Sequence, residues 1–323
     1  MDIRPGVWPT VLTPFSSAGS VDLLTYDRVC EYYLSHQSTG LFSLCNSSEA
    51  HFLTLHERIQ LAEATVRMVG GEAVVAGALC HGELVDTIDL VNRLSQTGVA
   101  AVVVSTNQVA PEDASEAEIE RGFDRLLAET AGIDLGLYEC PKPFHRVLNP
   151  EMMRDLAATD RFVFHKDTSC DAGLIAAKLD AVSGSRMRFF NANIATLSRS
   201  IRDGADGYSG VGSNYFPRLY HLVCELACCQ PERADQIGFF LVNAEQLICD
   251  PYPASGKVCL SLQGVPITRF CRAPSEPIGA DLLRVMQDTM EQAEALEAAF
   301  AATVPEPRLR LTKALELARA EGI

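Results

Sequence analysis

Residues 161–171 read Arg-Phe-Val-Phe-His-Lys-Asp-Thr-Ser-Cys-Asp, which places a lysine at the end of an apolar, aromatic run and just before a cluster of turn and helix-start residues. Desolvation disfavours an ammonium group in such a position. A lysine held in a water-poor pocket has its pKa pushed down, so part of it exists as the neutral amine, which attacks carbonyl carbon and forms a Schiff base. Lys166 is therefore a candidate nucleophile, although a lysine that merely snorkels to solvent from a strand end would occupy the same position. Strand alternation puts Phe164 and Lys166 on one face and His165 on the other. With Lys166 inward, His165 is expected to be a hydrogen-bonded core histidine outside the chemistry.

Two further groups fit a Schiff-base site. Tyr138 ends the run Asp-Leu-Gly-Leu-Tyr-Glu, where a phenol could pass protons or simply pack. Asn46, Ser47 and Ser48 follow another apolar run and combine amide, hydroxyl and backbone donors suited to a carboxylate, a composition shared by many ordinary loops.

These residues need elements to hold them. Short β-type runs occur at 6–14, 40–44, 73–77, 100–104, 134–139, 161–166, 187–192 and 206–210, with amphipathic helical stretches at 25–37, 55–69, 83–98 and 116–130 between them. Repeated strand and helix units of this length imply parallel strands with helical crossovers, and eight of them predict an α/β protein built as a (β/α)8 TIM barrel. An open doubly wound sheet is the alternative. Two more helical stretches, 279–302 and 307–322, predict a C-terminal helical appendage. The expected division is a barrel over 1–220, with 221–323 holding the last barrel helix and the extension, packed as one unit with the barrel. In such a barrel the C-terminal strand ends form the active-site mouth. Lys166, Tyr138 and the Asn46-Ser47-Ser48 loop then fall at the ends of strands six, five and two.

Composition narrows the partners. The 323-residue chain is 47% hydrophobic and 21% charged, with a formal net charge of −15, which argues against nucleic acid or an anionic membrane surface. The N-terminal segment lacks a basic region followed by an apolar one, and no apolar run approaches the ~20 residues of a membrane span, so a cytoplasmic location is expected. Eleven cysteines are scattered without a Cys-x-x-Cys pair, the pattern of reduced, mostly buried thiols rather than of a zinc site or disulfide framework.

With these residues in view, the sequence resembles the N-acetylneuraminate lyase and dihydrodipicolinate synthase superfamily, the pyruvate-type class I aldolases, nearly end to end. The resemblance rests on GVWPTVLTPFSSAGSVDL, GLFSLCNSSEAHFLTLHER, YECP followed by HKDTS, GADGYSGVGSNYFP and YPASGKVCLSLQG. It implies a (β/α)8 barrel in which Lys166 forms an imine with pyruvate or a related 2-oxo acid and Tyr138 is the general acid and base. Asn46, Ser47, Ser48 and Gly210 would contact the substrate. No metal or organic cofactor is implied, and a homo-oligomer, tetramer or dimer, is expected. Four departures separate this chain from the common pattern. Cys45, Asn46, Ser47, Ser48 and Glu49 stand where many relatives have Gly-Thr-Thr-Gly-Glu, so a left-handed glycine position would strain Ser48. Asn107 and Gln108 replace a tyrosine pair that completes a cross-subunit proton relay. Pro143 stands near an arginine position, with Lys142, His145 and Arg146 close in sequence. Phe164 replaces a small residue and would narrow and dry the pocket floor. The expected activity is a Schiff-base lyase or aldolase with open substrate. A hydro-lyase using the same imine and a non-catalytic 2-oxo-acid-binding homologue are the alternatives.

Overall fold

The computed structural model describes residues 3–80 and 82–301. Its strands are β1 (Gly6–Val7), β2 (Leu41–Ser43), β3 (Val74–Gly77), β4 (Ala101–Ser105), β5 (Leu135–Tyr138), β6 (Phe162–Asp167), β7 (Arg188–Asn191) and β8 (Gly207–Tyr208). All pair in parallel in one sheet ordered β1-β8-β7-β6-β5-β4-β3-β2. The ring closes where Thr10 bridges Phe42, with Val11 N donating to Phe42 O and Phe42 N to Pro9 O, each at 2.9 Å. This is the (β/α)8 barrel expected from the alternating pattern.

Helices α1 (Leu23–Ser35), α2 (Leu55–Val69), α3 (Leu84–Leu94), α4 (Glu116–Glu129), α5 (Pro150–Ala158), α6 (Ala172–Val182), α7 (Ile194–Arg202) and α8 (Pro217–Leu226) follow the strands in turn. α9 (Pro231–Ile248), α10 (Ala254–Leu262) and α11 (Ala280–Ala301) come after them. Start signals in the sequence act locally: Thr54 and Glu57 form a reciprocal capping box at α2, and Asp171 accepts from Leu174 N at α6. α8 runs across the expected division at 220, and an apolar cluster joins Val7 and Tyr208 of the sheet to Leu219, Ile237, Leu241 and Met286 of α8, α9 and α11. The helical stretch 307–322 lies outside the described residues.

The first strand is far shorter than the run 6–14 suggested. Pro9 has no N–H to give to a ladder, so regular pairing stops at Val7 and resumes only as the single bridge at Thr10. β3 and β4 are buried along their whole length, as parallel strands covered by helices on one face and by the barrel interior on the other must be. Trp8, Phe42, Val75, Val103, Phe164 and Phe190 form one buried cluster together with Tyr138. Phe164 stacks on Phe190 at 4.6 Å and meets the edges of Trp8 and Phe42 at 5.7 Å each. Aromatic pairs of this kind contribute about 0.5–1.5 kcal/mol each beyond the area they bury.

One irregularity decides the site. β5 and β6 pair Leu135 with Phe162 but Gly136 with Phe164, so one extra residue of β6 is skipped between them. That shift brings Tyr138 opposite Lys166 and Leu137 opposite His165. Without it Tyr138 would pair with His165 and face away from the lysine. Gly136 permits the arrangement, because a Cβ there would stand 2.8 Å from Val103 Cγ2 and 3.2 Å from Phe164 Cβ.

Candidate active site

Lys166 is 4% exposed and Tyr138 5%, both at the C-terminal ends of their strands. The Lys166 ammonium lies 4.5 Å from the centre of the Tyr138 ring and 5.6 Å from that of Phe42. Phe164, one turn of the pleat below the lysine, is fully buried with Phe190 and Trp8 in the floor. Burial in this aromatic setting pushes the Lys166 pKa below its usual 10.5, with the nearby thiols of Cys45 and Cys140 acting weakly in the opposite direction. Burial likewise raises the Tyr138 phenol well above 10, and Cys140, Cys45 and Tyr252 add to the effect. The site thus holds an amine biased towards its neutral form beside a phenol that keeps its proton.

The loop after β2 forms a short 3-10 turn over Asn46–Ser48 and divides its side chains between two tasks. The Asn46 amide donates to Cys140 Sγ at 3.0 Å, which ties the loop to the strand end of Tyr138. Ser47 donates to Thr10 Oγ1 at 2.9 Å. Ser48 has a supporting part: its hydroxyl donates to Val11 O at 2.6 Å and accepts from Cys45 N at 3.3 Å. The strain expected at Ser48 is absent, since the left-handed positions fall on Leu44 at φ 58° and Glu49 at φ 55°. Glu49 itself is fully buried and pairs with Lys257 of α10 at 2.6 Å, while its second oxygen accepts from Ala273 N at 2.7 Å. Gly210 follows β8 on the same rim, its carbonyl accepting from Ser213 Oγ at 2.7 Å; a Cβ there would collide with the Tyr208 phenol at 2.3 Å.

On the opposite face of the strands, His165 points outward as the alternation requires, but its partners are at ion-pair rather than hydrogen-bond distances, 3.8 Å to Asp167 and 4.0 Å to Glu139. The sequence-based expectation of a hydrogen-bonded histidine is corrected in that respect. Lys178 of α6 donates to both carboxylates, at 2.5 Å to Glu139 and 2.7 Å to Asp167. The Glu139, His165 and Asp167 ligand atoms lie within 4.8 Å of one another, and the Lys178 ammonium is the cation this group holds. Burial by itself would raise the Asp167 carboxyl, yet His165 and Lys178 together hold it below its ordinary value. This charged layer fixes β5 and β6 to α6 on the outer side of the barrel, behind Tyr138 and Lys166.

The residues at the departures are spent on structure. Asn107 donates to the carbonyls of Cys140, Lys142 and Phe144 at 2.9, 2.8 and 2.7 Å, and Gln108 to that of Cys80 at 2.7 Å. The Arg146 guanidinium serves the carbonyls of Thr106, Ala110 and Pro111. It therefore does not take over an anion-binding role in the mouth. Lys142 is exposed, and His145 contacts Thr168 Oγ1 at 2.8 Å on the rim. Sequence reasoning missed Thr10, which accepts from Ser47, and Asn214 and Tyr252, which join Thr10 in one hydrogen-bonded chain from distant segments. It also missed Glu139 and Lys178; the signal for Glu139 was its place directly after Tyr138.

The family model described as the dihydrodipicolinate synthetase family matches residues 4–293, and the chain belongs to that family. A 4-hydroxy-tetrahydrodipicolinate synthase of Stenotrophomonas maltophilia is 27% identical over 276 residues, 85% of this chain and 91% of the relative. Among solved structures, the sialic acid aldolase of Ruminococcus gnavus superposes with a TM-score of 0.81 at 16% identity, covering 93% of this chain and all of the other (100%). The dihydrodipicolinate synthase of Acinetobacter baumannii complexed with pyruvate gives 0.79 at 20% identity, covering 90% and 99%. Among the described residues no helix is long and apolar enough to cross a membrane.

Proposed function

We propose that this protein is a Schiff-base lyase or aldolase acting on pyruvate or a related 2-oxo acid. The observation that carries the reading is the buried Lys166 amine, 4.5 Å from the Tyr138 ring in a dry aromatic pocket. The neutral amine adds to the keto carbon. One nitrogen proton and the proton of the Tyr138 phenol go to the departing oxygen, which leaves as water, and the imine nitrogen remains protonated. That nitrogen draws electrons through the imine carbon, so the carbon beyond it gives its proton to the Tyr138 oxygen, which forms the enamine and restores the phenol. Carbon–carbon bond formation or cleavage then proceeds through the enamine, while Asn46 and Ser47 hold the carboxylate. The dihydrodipicolinate synthase of Acinetobacter baumannii, solved as a complex with pyruvate, supports this choice of substrate. The eleven unpaired cysteines fit a reducing, cytoplasmic setting, and a homo-oligomer is part of the same reading.

Trapping tests it. Incubation with pyruvate and borohydride should give a covalent adduct by intact mass in the native protein and none in Lys166→Ala. Absence of an adduct in the native protein, or its persistence in Lys166→Ala, refutes the reading. A Tyr138→Phe variant should trap pyruvate more slowly, since water must then supply the proton to the departing oxygen, and should lose turnover.

A further inference from the structure

One phenol beside the substrate loop has no part in the chemistry above. Tyr252 lies in the segment between α9 and α10, and its oxygen accepts from Asn214 Nδ2 at 2.7 Å. The same amide nitrogen donates to Thr10 Oγ1 at 3.2 Å, and Tyr33 OH donates to Asn214 Oδ1 at 2.6 Å. The Tyr33 bond fixes the amide: with its oxygen occupied, its NH2 group faces Thr10 and Tyr252. The Tyr252 phenol also reaches the hydroxyls of Ser47 and Thr10. Thr10 Oγ1 already accepts from Ser47 and from Asn214, which fills both of its lone pairs. Of these two hydroxyls, Ser47 is the one with a lone pair left to take the Tyr252 hydrogen.

We propose that Tyr252 is a positioning residue that holds the substrate carboxylate through Ser47, an inference that rests on the Schiff-base reading above. When a carboxylate enters, Ser47 turns its hydrogen from Thr10 to the anion, and Tyr252 donates into the Ser47 oxygen behind it. A donor polarised from behind binds an anion more strongly than an isolated hydroxyl. The device supplies with neutral groups what the site lacks in charge, since Arg146 is committed to backbone carbonyls. It is assembled within one chain, from the β1 segment, the β2 loop, the turn after β8 and the α9–α10 connection.

The experiment compares pyruvate with methyl pyruvate, which carries the same keto carbon without the charge. Half-saturation for borohydride trapping is measured with each, in the native protein, Tyr252→Phe, Ser47→Ala and the double variant. Ser47→Ala should raise the value for pyruvate about tenfold, the size of one hydrogen bond to a charged group, and leave that for the ester within twofold. Tyr252→Phe should raise the value for pyruvate by a smaller factor of about three with the ester unchanged, and the double variant should lose no more than Ser47→Ala alone, because the two residues act in series. A merely structural role would weaken both compounds together. Should Tyr252→Phe fail to fold, Tyr33→Phe tests the same chain: it releases the Asn214 oxygen to take the phenol's hydrogen away from Ser47, and discrimination for pyruvate should fall. A native protein that traps neither compound overturns the Schiff-base reading and this inference with it. A native protein that traps pyruvate, with discrimination unchanged in the folded variants, overturns the inference alone.

Discussion

Replacing Lys257 by Met isolates what holds the substrate loop. Lys257 and Glu49 are both fully buried, and the ammonium donates to Glu49 at 2.6 Å and to Phe270 O at 2.7 Å while lying 4.6 Å from the Phe15 ring. Methionine preserves the length of the side chain and its apolar packing, but it leaves the Glu49 carboxylate with the Ala273 N–H as its remaining partner among these bonds. Removing one partner of a buried pair typically costs about 3–5 kcal/mol, a large part of the ~5–15 kcal/mol that stabilises a folded protein. The thermal midpoint should fall on the order of 10 °C. Because Glu49 adjoins Ser48 and Ser47, half-saturation by pyruvate should rise as well. Combining Lys257→Met with Glu49→Leu removes the stranded charge, and the double variant should be more stable than Lys257→Met alone, at the remaining cost of about 1–3 kcal/mol for the unpaired Ala273 N–H. Thermal and urea unfolding of the two variants provide the assay. A loss below about 1 kcal/mol in Lys257→Met, or a double variant no more stable than that single variant, would refute the reasoning.

The pH dependence of pyruvate trapping should inflect below 10.5, the usual lysine value, because burial lowers the Lys166 pKa; an inflection at or above it contradicts the dry pocket. The same shift means that the folded protein binds fewer protons at Lys166 than the unfolded chain between the lowered value and 10.5, so this group's contribution to stability rises with pH across that window. Phe164→Ala should admit water, move the inflection towards 10.5 and cost about 3–5 kcal/mol in unfolding experiments. Lys178→Met should destabilise by a similar ~3–5 kcal/mol at neutral pH. Asp167 has a depressed carboxyl, so its stabilising contribution in the native protein is present above the ordinary aspartate value of 3.8 and is lost as pH falls below it; the gap between Lys178→Met and native protein should narrow in acid, as measured by unfolding across pH. Asn107→Ala should cost about 1–3 kcal/mol and loosen the loop 140–144, read as faster amide hydrogen exchange there.

Much of this architecture was legible in sequence because the signals are local. The apolar spacing of 55–69 coincides with α2, and a buried aromatic run ending in lysine is strand β6. Alternation alone gives opposite faces to Lys166 and His165. The juxtaposition of Tyr138 with Lys166 depends on a register shift between two strands, and Gly136, which permits it, does not by itself say which residue of the neighbouring strand is skipped. The division of labour in the β2 loop was hidden for the same kind of reason: Ser48 turns to Val11, and Glu49 finds its counter-charge 208 positions away in Lys257. Tyr33, Asn214 and Tyr252 form a chain that ends at Thr10, the partner of Ser47, and they come from segments that are read separately in a sequence. Arg146 looked available to supply charge because it is close in sequence to the arginine position, and only the backbone carbonyls around it show that it is occupied.

The central claim is that one amine among five lysines, Lys142, Lys166, Lys178, Lys257 and Lys313, bonds covalently to a 2-oxo acid. Peptide mapping of the protein after reduction with pyruvate tests it directly. The account predicts a gain of one pyruvate less an oxygen atom on the peptide that contains Lys166 and on no other. A modification confined to an exposed lysine such as Lys142, with the Lys166 peptide unchanged, would contradict it.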